Sequence, residues 1–449
     1  MLVRERSRTA VVICLAVLAI YLLSDLWTTR SGISYQAHQW LASVSSTDHK
    51  KQTAADGDLS IDQSLPTAPD TSEVDTAIAH NTGQTHTILY SQSTVDRKFF
   101  LIKFGDEKTI NPSILPHPTL PGTWVIIAQR FDRTKESQSP HVELACDAAF
   151  IDDALQCTSS PITLPILATE GGKCEGDLGY VNLNVGPHDA RVFLGPQGPY
   201  TVYGSNSKFT CFSQWIQNFD VLIGWASTSS HAVFHQGTEL QRPLPYSMME
   251  KNWFIFWDKD DQMFAHYDIA PKRVFARLGL DGSAGTNMAD QTAQTDAECI
   301  EKYLPQLGPE SEDFHQATNS LSVTMCKRSD PLCRPDDDNT IILTVFHRKT
   351  YHNFQGVYEP YVMAFRRRQP FEVYGFSRTP LWIHGREVVR ERHQMFYITS
   401  INWRSQGLGY HGYLDDVLFL GFGIDDALTA GIDVLAGDLL TSLGRCDDI

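Results

Sequence analysis

From Lys98 onward the chain repeats one local pattern, short runs of aromatic and β-branched residues closed off by Gly, Pro, Asn and Asp. Phe99-Phe100-Leu101-Ile102, Trp124-Val125-Ile126-Ile127, Tyr200-Thr201-Val202-Tyr203, Trp253-Phe254-Ile255-Phe256-Trp257, Ile341-Ile342-Leu343-Thr344-Val345 and Met395-Phe396-Tyr397-Ile398 are examples. Such side chains suit a pleated, half-buried surface, and the flanking residues suit turns. Helical periodicity is scarce. Only the tail from Asp425 to Leu443 carries it, with Leu428, Leu435, Leu439 and Leu443 at helical spacing. The pattern predicts an all-β head over residues 96–449 that ends in a C-terminal helix. Many short strands suit a sandwich, a barrel or a propeller. The head is long for a sandwich, and a five-bladed β-propeller fits its length, although no strict repeat is visible.

The N-terminus reads differently. Arg4, Arg6 and Arg8 precede an uncharged apolar run, Ala10 to Leu23, and Trp27 follows it. Basic residues stay on the cytosolic side, and Trp favours the membrane interface. The expected order is a cytosolic tail (1–9), a transmembrane signal anchor (10–28), a flexible stem (29–95) and a lumenal head (96–449). A cleaved signal peptide is the other reading of the apolar run, and both place the head in the lumen. The stem is rich in Ser, Thr, Asp, Ala and Gln, a composition that cannot bury a core.

Cys14 lies in the apolar run, and the other eight cysteines lie in the head. An even number there fits a disulfide-forming compartment. Short loops favour the pairs Cys146–Cys157 and Cys326–Cys333. No Cys-x-x-Cys pair appears, so no zinc site is expected. The net charge of −16 argues against nucleic acid as a partner, since phosphates need a basic surface.

Polar residues gather where the strand runs end. These clusters hold Asn111 and Arg130; Asp189 and Arg191; Lys251 and His266; His347, Tyr351 and Tyr358; and Asp415 with Asp416. A propeller brings such loops to one end of its channel. There, cations would hold phosphate through charge-assisted hydrogen bonds and an Asp would exchange a proton with a hydroxyl. Each residue also has a structural reading. Asp189 with Arg191 could be an ion pair in a turn, Lys251 a solvated lysine, His347 a satisfied strand-end histidine, and Asp415-Asp416 a cap. Asp258-Lys259-Asp260 is expected to be a hairpin turn and not a metal motif.

The order of these clusters resembles the five-bladed propeller family of mannoside phosphorylases and hydrolases, with their glycosyltransferase relatives. In that family an Asn-Pro stretch precedes a strand ending in Arg, as Asn111-Pro112 and Arg130 do here. A Gly-x-x-Asp-Pro-Arg motif follows; here it is Gly186-Pro187-His188-Asp189-Ala190-Arg191, with Ala in place of Pro. Lys251 with His266, then His347 with Tyr351 and Tyr358, then Gly412-Tyr413-Leu414-Asp415-Asp416 complete the series. The anchored plan is similar to that of fungal Golgi β-mannosyltransferases. The resemblance implies a single-pass type II protein of the Golgi or another secretory membrane. It would be a glycosyltransferase moving mannose with inversion from GDP-mannose, its nucleotide-sugar donor, to a glycan acceptor, with no metal or other cofactor. Asp189 would handle the proton. Arg130, Arg191, Lys251, His266 and His347 would hold phosphate or sugar, Asn111 and Tyr351 would line the sugar site, and Asp415 or Asp416 would bind sugar hydroxyls. The alternatives are a membrane-anchored mannoside hydrolase or phosphorylase, and a non-catalytic glycan-binding propeller.

Overall fold

A computed structural model of the protein describes residues 85–132, 140–183, 185–225, 233–308, 313–352, 355–389 and 392–448. The expected cytosolic tail, the expected anchor and the expected stem up to residue 84 lie outside the described residues. Among the described residues no helix is long and apolar enough to cross a membrane.

The fold is all-β, built from five successive antiparallel strand groups that each begin at an inner strand. These inner strands are Thr109–Pro116, His188–Gly195, Phe254–Trp257, Leu321–Thr324 and Phe396–Trp403. The chain ends close the arrangement. Phe100–Lys103 pairs with Leu428–Leu435 on one side and with Ala154–Cys157 on the other, which joins the first and last groups into one nine-stranded sheet.

A separate apolar core lies at each junction between groups. Val125, Ile127 and Val192 meet Phe219 between the first and second, and Val202 and Ile216 meet Trp253 and Ile255 between the second and third. Phe256 and Phe264 meet Phe346 and Phe365 between the third and fourth. Leu343 and Val345 meet Ile401 and Leu420 between the fourth and fifth. Phe419 of the fifth packs with Phe100 and Ile126 of the first.

Where the inner strands converge, small polar side chains reach the backbone of another group. Ser113 Oγ accepts from the Val192 amide, Asn402 donates to the Val192 carbonyl, and Ser320 donates to the Ile255 carbonyl. Asn319 bonds both ways with Ile401, and Ser400 donates to the Pro112 carbonyl. Buried strand edges need such partners. Here they make the ring nearly closed.

Both expected short disulfides form, and two longer ones join them, Cys174–Cys211 and Cys299–Cys446. Four disulfides fit an oxidising, secretory or extracellular environment. Asp258 closes the expected hairpin turn, accepting from the amides of Asp260 and Gln262.

Two expectations are corrected. The tail after Asp425 is not a long helix: Leu428–Leu435 is a strand, and only Ala436–Leu439 is helical. Ala430, Ile432 and Val434 enter one apolar core at a period of two, and that alternation of apolar residues overrides the leucine spacing. A real helix forms instead at Ala293–Tyr303, tied through Cys299 to Cys446. The head also starts earlier than the composition indicated. Thr87–Leu89 pairs in parallel with Leu381–Ile383, and Leu89 is buried in the core.

Candidate functional site

Three of the groups present a polar residue at the start of the inner strand with its backbone in the left-handed region. Asn111 has φ 56°, Asp189 φ 52° and Asn252 φ 63°. Asn and Asp tolerate this conformation better than most residues, but it still costs of order 1–3 kcal/mol. The register breaks between Ile110 and Ser113 and between His188 and Arg191, so Asn111 and Asp189 stand on β-bulges, which re-aim side chains. Gly186 sets up the second bulge. Its φ is 104°, and a Cβ there would lie 2.2 Å from the His141 carbonyl oxygen.

These residues meet at one pocket of about 400 Å³, to which all five groups contribute. Asn111 Nδ2 donates to Asp189 Oδ1 at 2.6 Å. Arg191 is buried, and its Nη2 donates to Gln214 Oε1 at 2.8 Å. Burial lowers its pKa, and the negative charge of nearby Asp189 opposes that. Lys251 and Lys349 reach the same pocket from the third and fourth groups, and Asp426 lies on its wall. Three cations against two carboxylates make the lining locally positive in a chain of strongly negative charge.

Two pocket histidines stay neutral. Burial, with the charge of His141, pushes His188 down to about 4 against the pull of Asp189. Burial, with the charge of Lys349, pushes His315 down to about 4 as well. The Asn252 amide lies 3.2 Å from His315 Nδ1. Tyr358 and Tyr397 meet edge to face, 4.9 Å between centroids, and both line the wall. The pocket thus combines a carboxylate, a patch of cations and aromatic faces.

Of the residues singled out in the sequence, Asn111, Asp189, Arg191, Lys251 and Tyr358 line this pocket. The others do not. Arg130 ends its strand opposite Thr109, outside the lining. His266 is a core residue between the third and fourth groups: it stacks on Phe254 at 4.7 Å, accepts at Nε2 from Arg273 Nε and pairs at Nδ1 with Gln316. His347 is fully buried behind the wall, where it stacks on Tyr397 at 4.7 Å and accepts from the Ile398 amide. Tyr351 stands outside the lining with Lys349 Nζ 4.7 Å above its ring.

Asp415 and Asp416 lie elsewhere and hold the Cys326–Cys333 loop. Asp415 accepts from the amides of Arg328 and Ser329, and Asp416 pairs with the Arg328 guanidinium at 2.6 Å. They serve as turn caps there, outside the pocket lining.

Sequence reasoning missed Lys349, His315, Tyr397 and the second layer under Asp189. In that layer Gln129 Oε1 accepts the Asp189 amide at 2.9 Å and Glu143 Oε1 accepts the Ala190 amide at 3.2 Å. Lys349 had a signal: it lies two residues beyond His347 on the same strand face.

No family model and no curated protein matches the chain. Several solved structures are similar to it. A beta-1,2-mannobiose phosphorylase from Listeria innocua is 12% identical, covers 79% of this chain and 96% of its own, and gives a TM-score of 0.41. A GDP-Man-dependent mannosyltransferase from Leishmania mexicana is 10% identical over 81% of this chain and 94% of its own, with a TM-score of 0.39. An alpha-L-arabinofuranosidase from Lactobacillus brevis is 8% identical over 73% and 90%, with a TM-score of 0.38.

Proposed function

We propose that the ring is a five-bladed β-propeller and that its pocket is the active centre of an inverting glycosyltransferase. The enzyme would move mannose from GDP-mannose to a glycan hydroxyl. One observation carries this reading: Asp189, braced by Asn111, shares a pocket with Arg191, Lys251 and Lys349. Asp189 beside this cation cluster suits a substrate that bears phosphate and a reaction that moves one proton.

In the proposed reaction Asp189 takes the proton of the acceptor hydroxyl. The acceptor oxygen bonds to the anomeric carbon from one face, and the bond to the diphosphate oxygen breaks on the other. The cations stabilise the negative charge that collects on the leaving diphosphate. Tyr358 and Tyr397 offer ring faces and edges to the sugar. The Asn111 amide donates to Oδ1 and leaves Oδ2 for the acceptor hydroxyl. The apolar N-terminal run and the disulfides support a type II protein of a secretory membrane, with the Golgi as its compartment.

The test is a donor screen on the full chain. GDP-mannose, UDP-sugars and mannose 1-phosphate would each be offered with mannose oligosaccharides, with and without divalent metal, beside an Asp189→Asn variant. Mannose transfer from GDP-mannose that the variant loses is the expected result. Cleavage of mannosides by water or phosphate with no donor consumed would replace the reading with hydrolase or phosphorylase. Binding of mannosides without turnover would leave a glycan-binding propeller.

A further inference from the structure

A β-bulge leaves backbone amides without ladder partners, and a buried amide must find one elsewhere. At the Asp189 bulge both consecutive amides find side chains. Gln129 Oε1 takes the amide of Asp189 at 2.9 Å, and Glu143 Oε1 takes that of Ala190 at 3.2 Å. The two acceptors come from neighbouring antiparallel strands and stand directly opposite each other in register. They form one platform, on a sheet of the first group, beneath a turn of the second. Gln129 is 4% exposed and Glu143 fully buried. Neither is itself part of the pocket lining.

We propose that Gln129 and Glu143 are positioning residues for Asp189, a cross-strand clamp that holds the two amides of its bulge and thereby aims its carboxylate into the pocket. The inference rests on the reading of Asp189 as the group that handles the proton.

The chemistry of Glu143 fits this role. Its Oε2 has no hydrogen-bond partner among the described residues. A neutral acid leaves one dipole unsatisfied there, whereas a carboxylate would leave a buried charge. Burial raises the Glu143 pKa well above the usual carboxylate range; the Ala190 amide opposes this, and the charge of Asp189 adds to it. The titratable groups around it are Asp189 itself and, around Asp189, His141, His188 and Arg191. Burial lowers His141 against the charge of Asp189, and it lowers His188 too. The raised pKa favours the neutral acid, whose Oε1 still accepts the Ala190 amide. Ionised, Glu143 would set a second negative charge behind Asp189.

The experiment uses the full chain with Glu143→Gln, Glu143→Ala and Gln129→Ala. Glutamine keeps the Oε1 acceptor but cannot ionise; alanine removes the acceptor. Glu143→Ala and Gln129→Ala should lower kcat by on the order of 10²-fold, the effect of a small misplacement of a reacting group, with donor KM changed less than about threefold. Glu143→Gln should recover most of that loss. Two readouts need no turnover. A wild-type minus Glu143→Gln infrared difference at neutral pH should show a protonated carboxyl carbonyl band. Hydrogen exchange at the Asp189 and Ala190 amides should be slow in the wild type and in Glu143→Gln, and fast in Gln129→Ala. A carboxylate band, equal exchange in all proteins, or a Glu143→Ala enzyme as fast as the wild type would overturn the proposal. If Glu143→Ala fails to fold, Gln129→Ala and the two spectroscopic readouts decide. A wild type that consumes no donor removes the transferase reading, and the band and the exchange rates still decide the clamp.

Discussion

Asn111 and Asp189 lie 78 residues apart in sequence, share the left-handed backbone conformation, and join through a 2.6 Å hydrogen bond in the pocket lining. The bond orients Asp189, and the strained backbone presents both side chains. Two substitutions separate these effects. Asn111→Ala and Asn111→Gly both remove the donor and should lower kcat alike, by about 10–100-fold. Alanine should also cost about 1 kcal/mol of stability that glycine does not, because glycine takes positive φ freely. Urea melts beside kcat measure both. Full activity in Asn111→Gly would mean that the contact does not orient Asp189.

The pocket histidines make stability depend on pH. His188 and His315 titrate near 4 in the fold and at about 6.5 when free. Between those values the unfolded chain binds protons that the fold does not, so acid favours unfolding. Stability from these groups is full above pH 6.5, falls as pH drops through 6 and 5, and levels off below 4. The loss is at most about 3 kcal/mol for each histidine. Urea midpoints at neutral and mildly acid pH should show the slope, and His315→Gln should flatten it. An unchanged slope in that variant would remove His315 from the account.

How far the sequence could be read is clearest on the strand Thr340–His352. His347, Lys349 and Tyr351 share one face of it, because strand side chains alternate. That face runs from buried His347 through Lys349 at the pocket to half-exposed Tyr351. The sequence identified the right face and misjudged the depth by two residues, about 7 Å along the strand. Depth depends on how neighbouring groups pack, and no local pattern encodes it. His266 lies in the core for the same reason, since its partner Gln316 comes from another group 50 residues away. Asp189 was legible because Gly186, Asp189 and Arg191 form one local device. Glu143 was not, since its partner Ala190 is 47 residues away.

The segment just before the expected head is structural. Leu89 is fully buried, and Ser91 and Ser93 donate to Asp433, which is buried and paired with Arg404 at 2.8 Å. In the full chain, Leu89→Ala should cost about 2–5 kcal/mol, as large-to-small changes in a core do. Removing the hydroxyls of Ser91 and Ser93 should add a further loss, because the buried Asp433 side chain would lose two of its hydrogen-bond donors. A flexible stem would show neither effect. Thermal or urea unfolding decides, and a Leu89→Ala protein as stable as the wild type would return the segment to the stem.

Lys251 and Lys349 stand on two different strand groups and face the same pocket. If they hold phosphate, each should matter in proportion to the charge on the ligand. Removing a charge-assisted contact costs about 1.5–3 kcal/mol, so Lys251→Ala and Lys349→Ala should raise the KM for GDP-mannose by roughly 10–100-fold. Binding of mannose, which carries no phosphate, should change little. Asp416→Asn serves as the control: its partner is Arg328, outside the pocket, so it should leave both constants unchanged. Steady-state kinetics with GDP-mannose and calorimetry with mannose separate the cases. Equal losses for charged and uncharged ligands would mean that the lysines shape the pocket, and the cation cluster would no longer point to a phosphate-bearing donor.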